Sequence, residues 1–163
     1  MKNILMLLLV SSLLASCNAT VSVESDEARS NADENGFDAE LAKKLNAYPY
    51  GMRMYVMAFL KEGPNRDLDS AAAADLQRKH LDNIGRLAEE GKLSLAGPFA
   101  ADSNPVRGIY IFNITSLDEA KKLTETDPAI QAGSLVMELR QWYGSSAIQL
   151  IYKNHKMIAK EDI

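Results

Sequence analysis

Apolar and polar residues change rhythm several times along this chain, and each rhythm predicts an element. Met52 to Leu60 reads MRMYVMAFL, apolar on both sides of a two-residue period; that pattern suits a strand covered on both faces. Gly63-Pro64-Asn65 breaks it. Ser70 to Glu90 has the period and composition of a helix, and Gly91 supplies a C-terminal stop. Leu93 to Phe99 forms a short strand that runs into Gly97-Pro98, and Gly108 to Ile114 alternates strongly with β-branched residues. Ser116-Leu117-Asp118-Glu119 fits a capping box and opens a helix reaching Thr124. Asp127-Pro128 predicts a second helical turn that ends near Gly133. Ser134 to Trp142 is a strand, and Ala147 to Tyr152 reads as a last, apolar one.

The order is β-α-β-β-α-β with an extra C-terminal strand. This is an α+β, ferredoxin-like arrangement, one sheet with the helices on one face. The other face then carries a burden. The first strand offers Met52, Met54, Val56 and Ala58 to one side and Tyr55, Met57 and Phe59 to the other; the third offers Tyr110 and Phe112 against Ile109 and Ile111. A second apolar face left wet would be a large exposed patch. A homodimer, its two sheets packed into a barrel-like sandwich, would cover it. The rival is that residues 143–163 fold over that face within one chain.

The N-terminus has its own pattern. Met1-Lys2-Asn3 starts positive, and Ile4 to Leu14 is apolar but too short to cross roughly 30 Å of hydrocarbon. Residues 1–16 therefore read as a secretory signal peptide. Leu14-Ala15-Ser16-Cys17 resembles the lipobox of bacterial lipoproteins, in which the cysteine is lipidated and becomes the first mature residue. Cys17 is the only cysteine in the chain, and lipidation explains an exported thiol with no disulfide partner. The expectation is a protein of the cell envelope, periplasmic or on an outer-membrane leaflet, held at a membrane surface by its acyl chains. Residues 17–47 are polar and poor in aromatics, a flexible tether with a helical turn around Ala39–Leu45. The domain and its C-terminal extension take up residues 48–163.

Charge and motifs narrow the chemistry. The formal charge is -4 with both signs mixed, and no basic stripe appears, so nucleic acid is excluded as a partner. Lys153-Asn154-His155-Lys156 is too short for a polyanion site and reads as a solvated tail. There is no glycine-rich dinucleotide loop, no G-x-S-x-G and no cysteine within the domain. With two histidines in the chain, one of them in the polar tail, a zinc site is not supported. No metal and no cofactor are expected.

The stretch LQRKHLDNI, residues 76–84, carries the most informative polar residue. At 100° per residue His80 falls between Leu76 and Ile84, on the inward face with Leu87. Such an imidazole is either a core histidine with satisfied nitrogens or one bordering a cleft. Asp127 has two readings as well, a helix cap before Pro128 or a partner for that imidazole. On the last strand of the motif Val136, Glu138, Arg140 and Trp142 share a face. Glu138 and Arg140 are candidate substrate-binding groups there, against the plainer reading of a surface ion pair. Arg53, at the mouth of the first strand, is a candidate for a substrate carboxylate, against a solvated strand end. Met52, Met54 and Met57 alternate across the sheet and read as core filler.

A series of short motifs adds a resemblance. In order they are Arg78-Lys79-His80-Leu81, Glu90-Gly91-Lys92-Leu93, Ala96-Gly97-Pro98-Phe99, Gly108-Ile109-Tyr110-Ile111-Phe112, Glu119-Ala120 and Thr126-Asp127-Pro128-Ala129-Ile130-Gln131-Ala132-Gly133. Together they resemble the YciI-like (YCII-related) family, from about Arg53 to Trp142. That resemblance implies a ferredoxin-like α+β fold, a dimeric α+β barrel similar to muconolactone isomerases, and a His-Asp pair as active site, here His80 and Asp127. The chain departs from the compact family type in its lipobox leader and in its tail, Tyr143 to Ile163, which would alter or close a site if it lay over the cleft. The expectation is an exported, lipid-anchored small enzyme doing general acid–base chemistry on a small organic acid or lactone. The alternative is a non-catalytic small-ligand-binding or assembly module with the same dimeric fold.

Overall fold

The computed structural model describes residues 32–47 and 49–161. The segment expected to be a signal peptide, Cys17 and the first part of the expected tether lie outside the described residues. The elements are α1 (Ala39–Lys44), β1 (Met52–Glu62), α2 (Ser70–Glu89), β2 (Leu93–Pro98), β3 (Val106–Phe112), α3 (Leu117–Thr124), α4 (Pro128–Gln131), β4 (Leu135–Ser145), a 3-10 turn (Ser146–Leu150) and α5 (Ile151–Ile158). The four strands form one antiparallel sheet in the order β2-β3-β1-β4.

Local chemistry sets the helix boundaries. Asp69 caps α2 by accepting from the Ala72 amide at 2.8 Å, and Gly91, at φ +68°, ends it in the left-handed region that glycine adopts without strain. Ser116 caps α3 through the Glu119 amide. The Glu119 side chain does not complete the anticipated capping box; it bonds Lys92 at 2.9 Å instead. The helical turn expected at Ala39–Leu45 is α1, and Leu45 and Ala47 just beyond it are buried. Gln149 donates to the Leu45 carbonyl at 2.8 Å, so this end of the segment read as tether is attached to the domain.

Strand alternation sorts the sheet into two faces. On the inner face Val56, Ala58 and Leu60 of β1 pack with Tyr110 and Phe112 of β3, Leu87 of α2 and Ala120 of α3. Burial of a leucine or phenylalanine there contributes about 1.5–3 kcal/mol each. The outer face carries Tyr55, which meets Trp142 at 5.9 Å between ring centroids, together with Ile111 and the half-buried Met57, Phe59 and Ile109. The loop after β1 continues its pairing with the stretch that leads into β4. Gly63 donates to the Ser134 carbonyl at 2.9 Å, Asn65 donates from its amide to Gly133 at 3.0 Å and from its side chain to Ala132 at 2.8 Å. A methyl group at Gly63 would overlap the Gly133 carbonyl oxygen. The loop thereby holds the end of α4 against the end of β1.

The expected C-terminal strand at Ala147–Tyr152 does not form. β4 runs on to Ser145, where the Ser145 hydroxyl accepts from the Ala147 amide and the Ser146 amide donates to Gly51 at 2.8 Å. Those bonds turn the chain into a 3-10 helix and then α5. A short apolar run satisfies a strand and a helix equally well, and here a serine cap decides it. From the β4 edge this tail crosses to pack on β2 at the opposite edge. Arg53 donates to Gln149 at 3.0 Å on the way, and Lys156 lies 3.9 Å from Glu89 of α2.

Candidate functional site

The site is built where α2, β3 and α4 meet. α2 presents His80 inward, as its spacing to Leu76 and Ile84 requires, and leaves it 7% exposed. α4 is a single turn whose N-cap is Asp127, fully buried. His80 Nδ1 lies 3.0 and 2.8 Å from the two carboxylate oxygens of Asp127. Oδ1 also accepts from the Ala129 amide at 2.9 Å. Both readings of Asp127 therefore hold at once: it caps α4 and it binds the imidazole.

The carboxylate can only accept, so Nδ1 carries its hydrogen toward Asp127. In the neutral ring Nε2 is then the acceptor, and it faces the Tyr110 hydroxyl at 3.4 Å, with the two rings stacked at a 20° tilt. Burial first, and then the negative charge of Asp127, push the Tyr110 hydroxyl well above the usual tyrosine range. It stays a donor. The 3.4 Å separation is at the long limit for such a bond, so Nε2 is only loosely engaged.

A second fastening runs beside the first. Arg86 donates to Asn83 at 2.7 Å and to the Thr126 hydroxyl at 3.0 Å, and that hydroxyl lies 3.1 Å from Asn83 Oδ1. Thr126 immediately precedes Asp127, so two adjacent residues tie the α3–α4 linker to α2. Asn83 is buried although its spacing from His80 gave no sign of a role. The signal available was the i, i+3 pair Asn83/Arg86, which reads as ordinary helix surface.

His80 and Tyr110 line a cleft of about 930 Å³ between α2 and β2. Ile84 and Ala88 of α2, Leu93 to Pro98 of β2, Leu60 and Leu135 form part of its lining, Asp82, Arg86, Glu89 and Arg107 are among its charged lining, and Ile151, Tyr152, His155 and Lys156 come from α5. The volume falls in the range that small-molecule sites occupy. His155, placed in a solvated tail by the sequence, thus borders the same cleft as His80. Among the described residues no three His, Cys, Asp or Glu side chains converge as a metal site would need. No described helix is long and apolar enough to cross a membrane.

Arg53, Glu138 and Arg140 are not brought to this cleft. Their partners across the ladder are Gly144, Phe59 and Met57, which places all three on the outer face, opposite His80. Arg53 lies over the Tyr55 ring at 5.1 Å and bonds Gln149. Glu138 binds Lys61 and Arg140, and those bonds, Lys61 first, hold its carboxyl below the usual range. Arg140 also sits over Phe59 at 5.6 Å. The ladder agrees with the period-two grouping of Glu138 with Arg140 and sets both on the sheet face away from the His80 cleft; an apolar strand pattern on both sides does not say which face the helices cover.

Residues 54–143 match the model of the YCII-related domain. A stretch of 63 residues, 39% of this chain, is 32% identical to the uncharacterized protein YjpA of Bacillus subtilis (strain 168) and covers 71% of it. Among solved structures, the 5-chloro-2-hydroxyhydroquinone dehydrochlorinase TftG from Burkholderia phenoliruptrix AC1100, in complex with 2,5-dihydroxybenzoquinone, aligns at 21% identity with a TM-score of 0.40. That alignment covers 55% of this chain and 93% of the other.

The double role of Asp127 is separable by substitution. Asp127→Asn keeps a cap for α4 and should cost little stability, whereas Asp127→Ala removes the cap and strands a buried imidazole, a loss of about 2–4 kcal/mol. Urea unfolding of the two variants checks this. Equal destabilisation by both would show that the carboxylate charge, and not the cap, is what the fold requires.

Proposed function

The chain belongs to the YCII-related domain family, and we propose that it is a small acid–base enzyme whose base is His80, acting on a small organic acid or lactone. The observation that carries this reading is the buried pair itself, His80 Nδ1 at 2.8 Å from Asp127 with Nε2 turned to a cleft. Asp127 fixes the tautomer and stabilises the imidazolium that proton uptake creates. In the step envisaged, a C–H bond beside a carbonyl breaks and its proton passes to Nε2. The electron pair moves onto the carbonyl oxygen, which takes a hydrogen bond from Tyr110 in place of the 3.4 Å contact to Nε2. The imidazolium then returns the proton to the product.

One observation favours the second reading, a binding module without catalysis: His80 is only 7% exposed. The experiment that decides is turnover of a panel of lactones and unsaturated organic acids by the full-length chain. His80→Gln should lose at least about 100-fold in kcat/KM, and Tyr110→Phe about tenfold. Binding of panel compounds without any turnover would favour the module, and a wild-type rate in His80→Gln would reject the base assignment.

Assembly and placement follow the same reading. The outer sheet face, with Met57, Phe59 and Ile109 half-buried and Arg140 lying over Phe59, is the surface for a second copy. Phe59→Glu puts a carboxylate opposite Glu138 and should yield monomers by light scattering, with an unchanged circular dichroism spectrum. A monomeric wild type would rule the sheet dimer out. Cys17 is the proposed anchor at the cell envelope. Cys17→Ser should move the protein from the membrane pellet to the soluble exported fraction, and retention in the pellet would dismiss the lipid.

A further inference from the structure

The tail that lies beyond the family's matched span contributes to the lining of the cleft. α5 begins at Ile151, after the matched residues end at 143. Ile151, Tyr152, His155 and Lys156 recur at i, i+1, i+4 and i+5, which places them on one side of the helix, and all four line the cleft. Both histidines of the chain therefore border one space, from two different elements.

The ionisable groups of the lining differ in one respect. His80 is bound by Asp127 and approached by Tyr110. Asp82 lies 3.7 Å from Arg78, Glu89 lies 3.9 Å from Lys156, Arg86 binds Glu90, and Arg107 binds Glu62. The Tyr152 ring lies under Lys156 at 5.5 Å. Among the described residues, the His155 side chain has no hydrogen bond or ion pair. Its helix, IYKNHKMI, contains no acidic residue. The lining also includes apolar side chains, Ile84, Ala88, Leu93 and Ile151 among them.

We propose that α5 is the specificity wall of the cleft and that His155 is a ligand-binding residue. The molecule that fits is a small organic acid with a ring-sized apolar body, its anionic group at His155 and its reacting end at His80 and Tyr110. The exposed His155 imidazole, without a partner among the described residues, can hydrogen-bond a carboxylate, and the apolar part of the lining takes the body.

Benzoate is the test probe, with benzyl alcohol as the neutral molecule of the same shape. Because the chain has two histidines, their ring signals in the NMR spectrum of the full-length protein report each end of the cleft separately. Benzoate should shift both signals with one saturation curve. His155→Gln should weaken benzoate binding about tenfold and leave benzyl alcohol unaffected. The inference is overturned by a benzoate response confined to His80, by no saturable benzoate response, or by unchanged affinity in His155→Gln. It rests on the acid–base reading of the cleft, yet the two fail separately. If His80 is no base, His80→Gln leaves turnover unchanged while benzoate still titrates His155.

Discussion

Between α2 and α4 lies a carboxylate that no water reaches. Asp127 is fully buried, and a buried carboxylate without partners costs several kcal/mol. This one accepts from the Ala129 amide and from His80 Nδ1, so its burial is tolerable only with α4 and α2 both in place. The neighbouring Thr126–Asn83–Arg86 contacts repeat the same connection one residue earlier. The Gly63–Asn65 loop fixes α4 from its other end, against β1. The orientation of the imidazole is thus a consequence of how three elements are joined.

What leaves room beside that ring is the sheet. Tyr110 is flanked across the ladder by Ala58 and Ala96, and Gly108 faces Pro98 one pair further along. These small residues under α2 make space for a phenol ring and for the cleft that continues past it. Larger side chains at those positions would let α2 and the sheet close on each other as an ordinary core. The same burial that keeps the Tyr110 hydroxyl protonated places it where it can donate to His80 or to a ligand atom, but not to both.

These features were unevenly legible in the sequence. His80 could be turned inward from its i±4 apolar neighbours alone, because helical geometry fixes direction. Asp127 announced its cap through the proline after it. That one carboxylate serves both roles became visible only in three dimensions, since the residues lie 47 positions apart and nothing local joins them. Tyr110 looked like one more core aromatic on an alternating strand. Glu138 and Arg140 were grouped by period two and do share a face, yet a strand apolar on both sides does not reveal which side the helices cover. The tail was misread because six apolar-rich residues, Ala147 to Tyr152, carry no period long enough to separate strand from helix; Ser145 and the pairing of the Ser146 amide with Gly51 resolve it.

The boundary of the family match divides the cleft in an informative way. His80, Asp127 and Tyr110 all lie within residues 54–143, on elements that the sheet and the buried pair hold in fixed relation. The far wall comes from α5, which has no buried residue, packs on β2 and places Lys156 3.9 Å from Glu89 of α2. A weakly packed helix can change sequence at little cost to the fold, whereas a residue beside Asp127 cannot. The buried His80–Asp127 pair and the far wall of the cleft therefore sit on parts of the chain with very different freedom to vary. A chain carrying the same imidazole and carboxylate without this tail would present them to a wider opening.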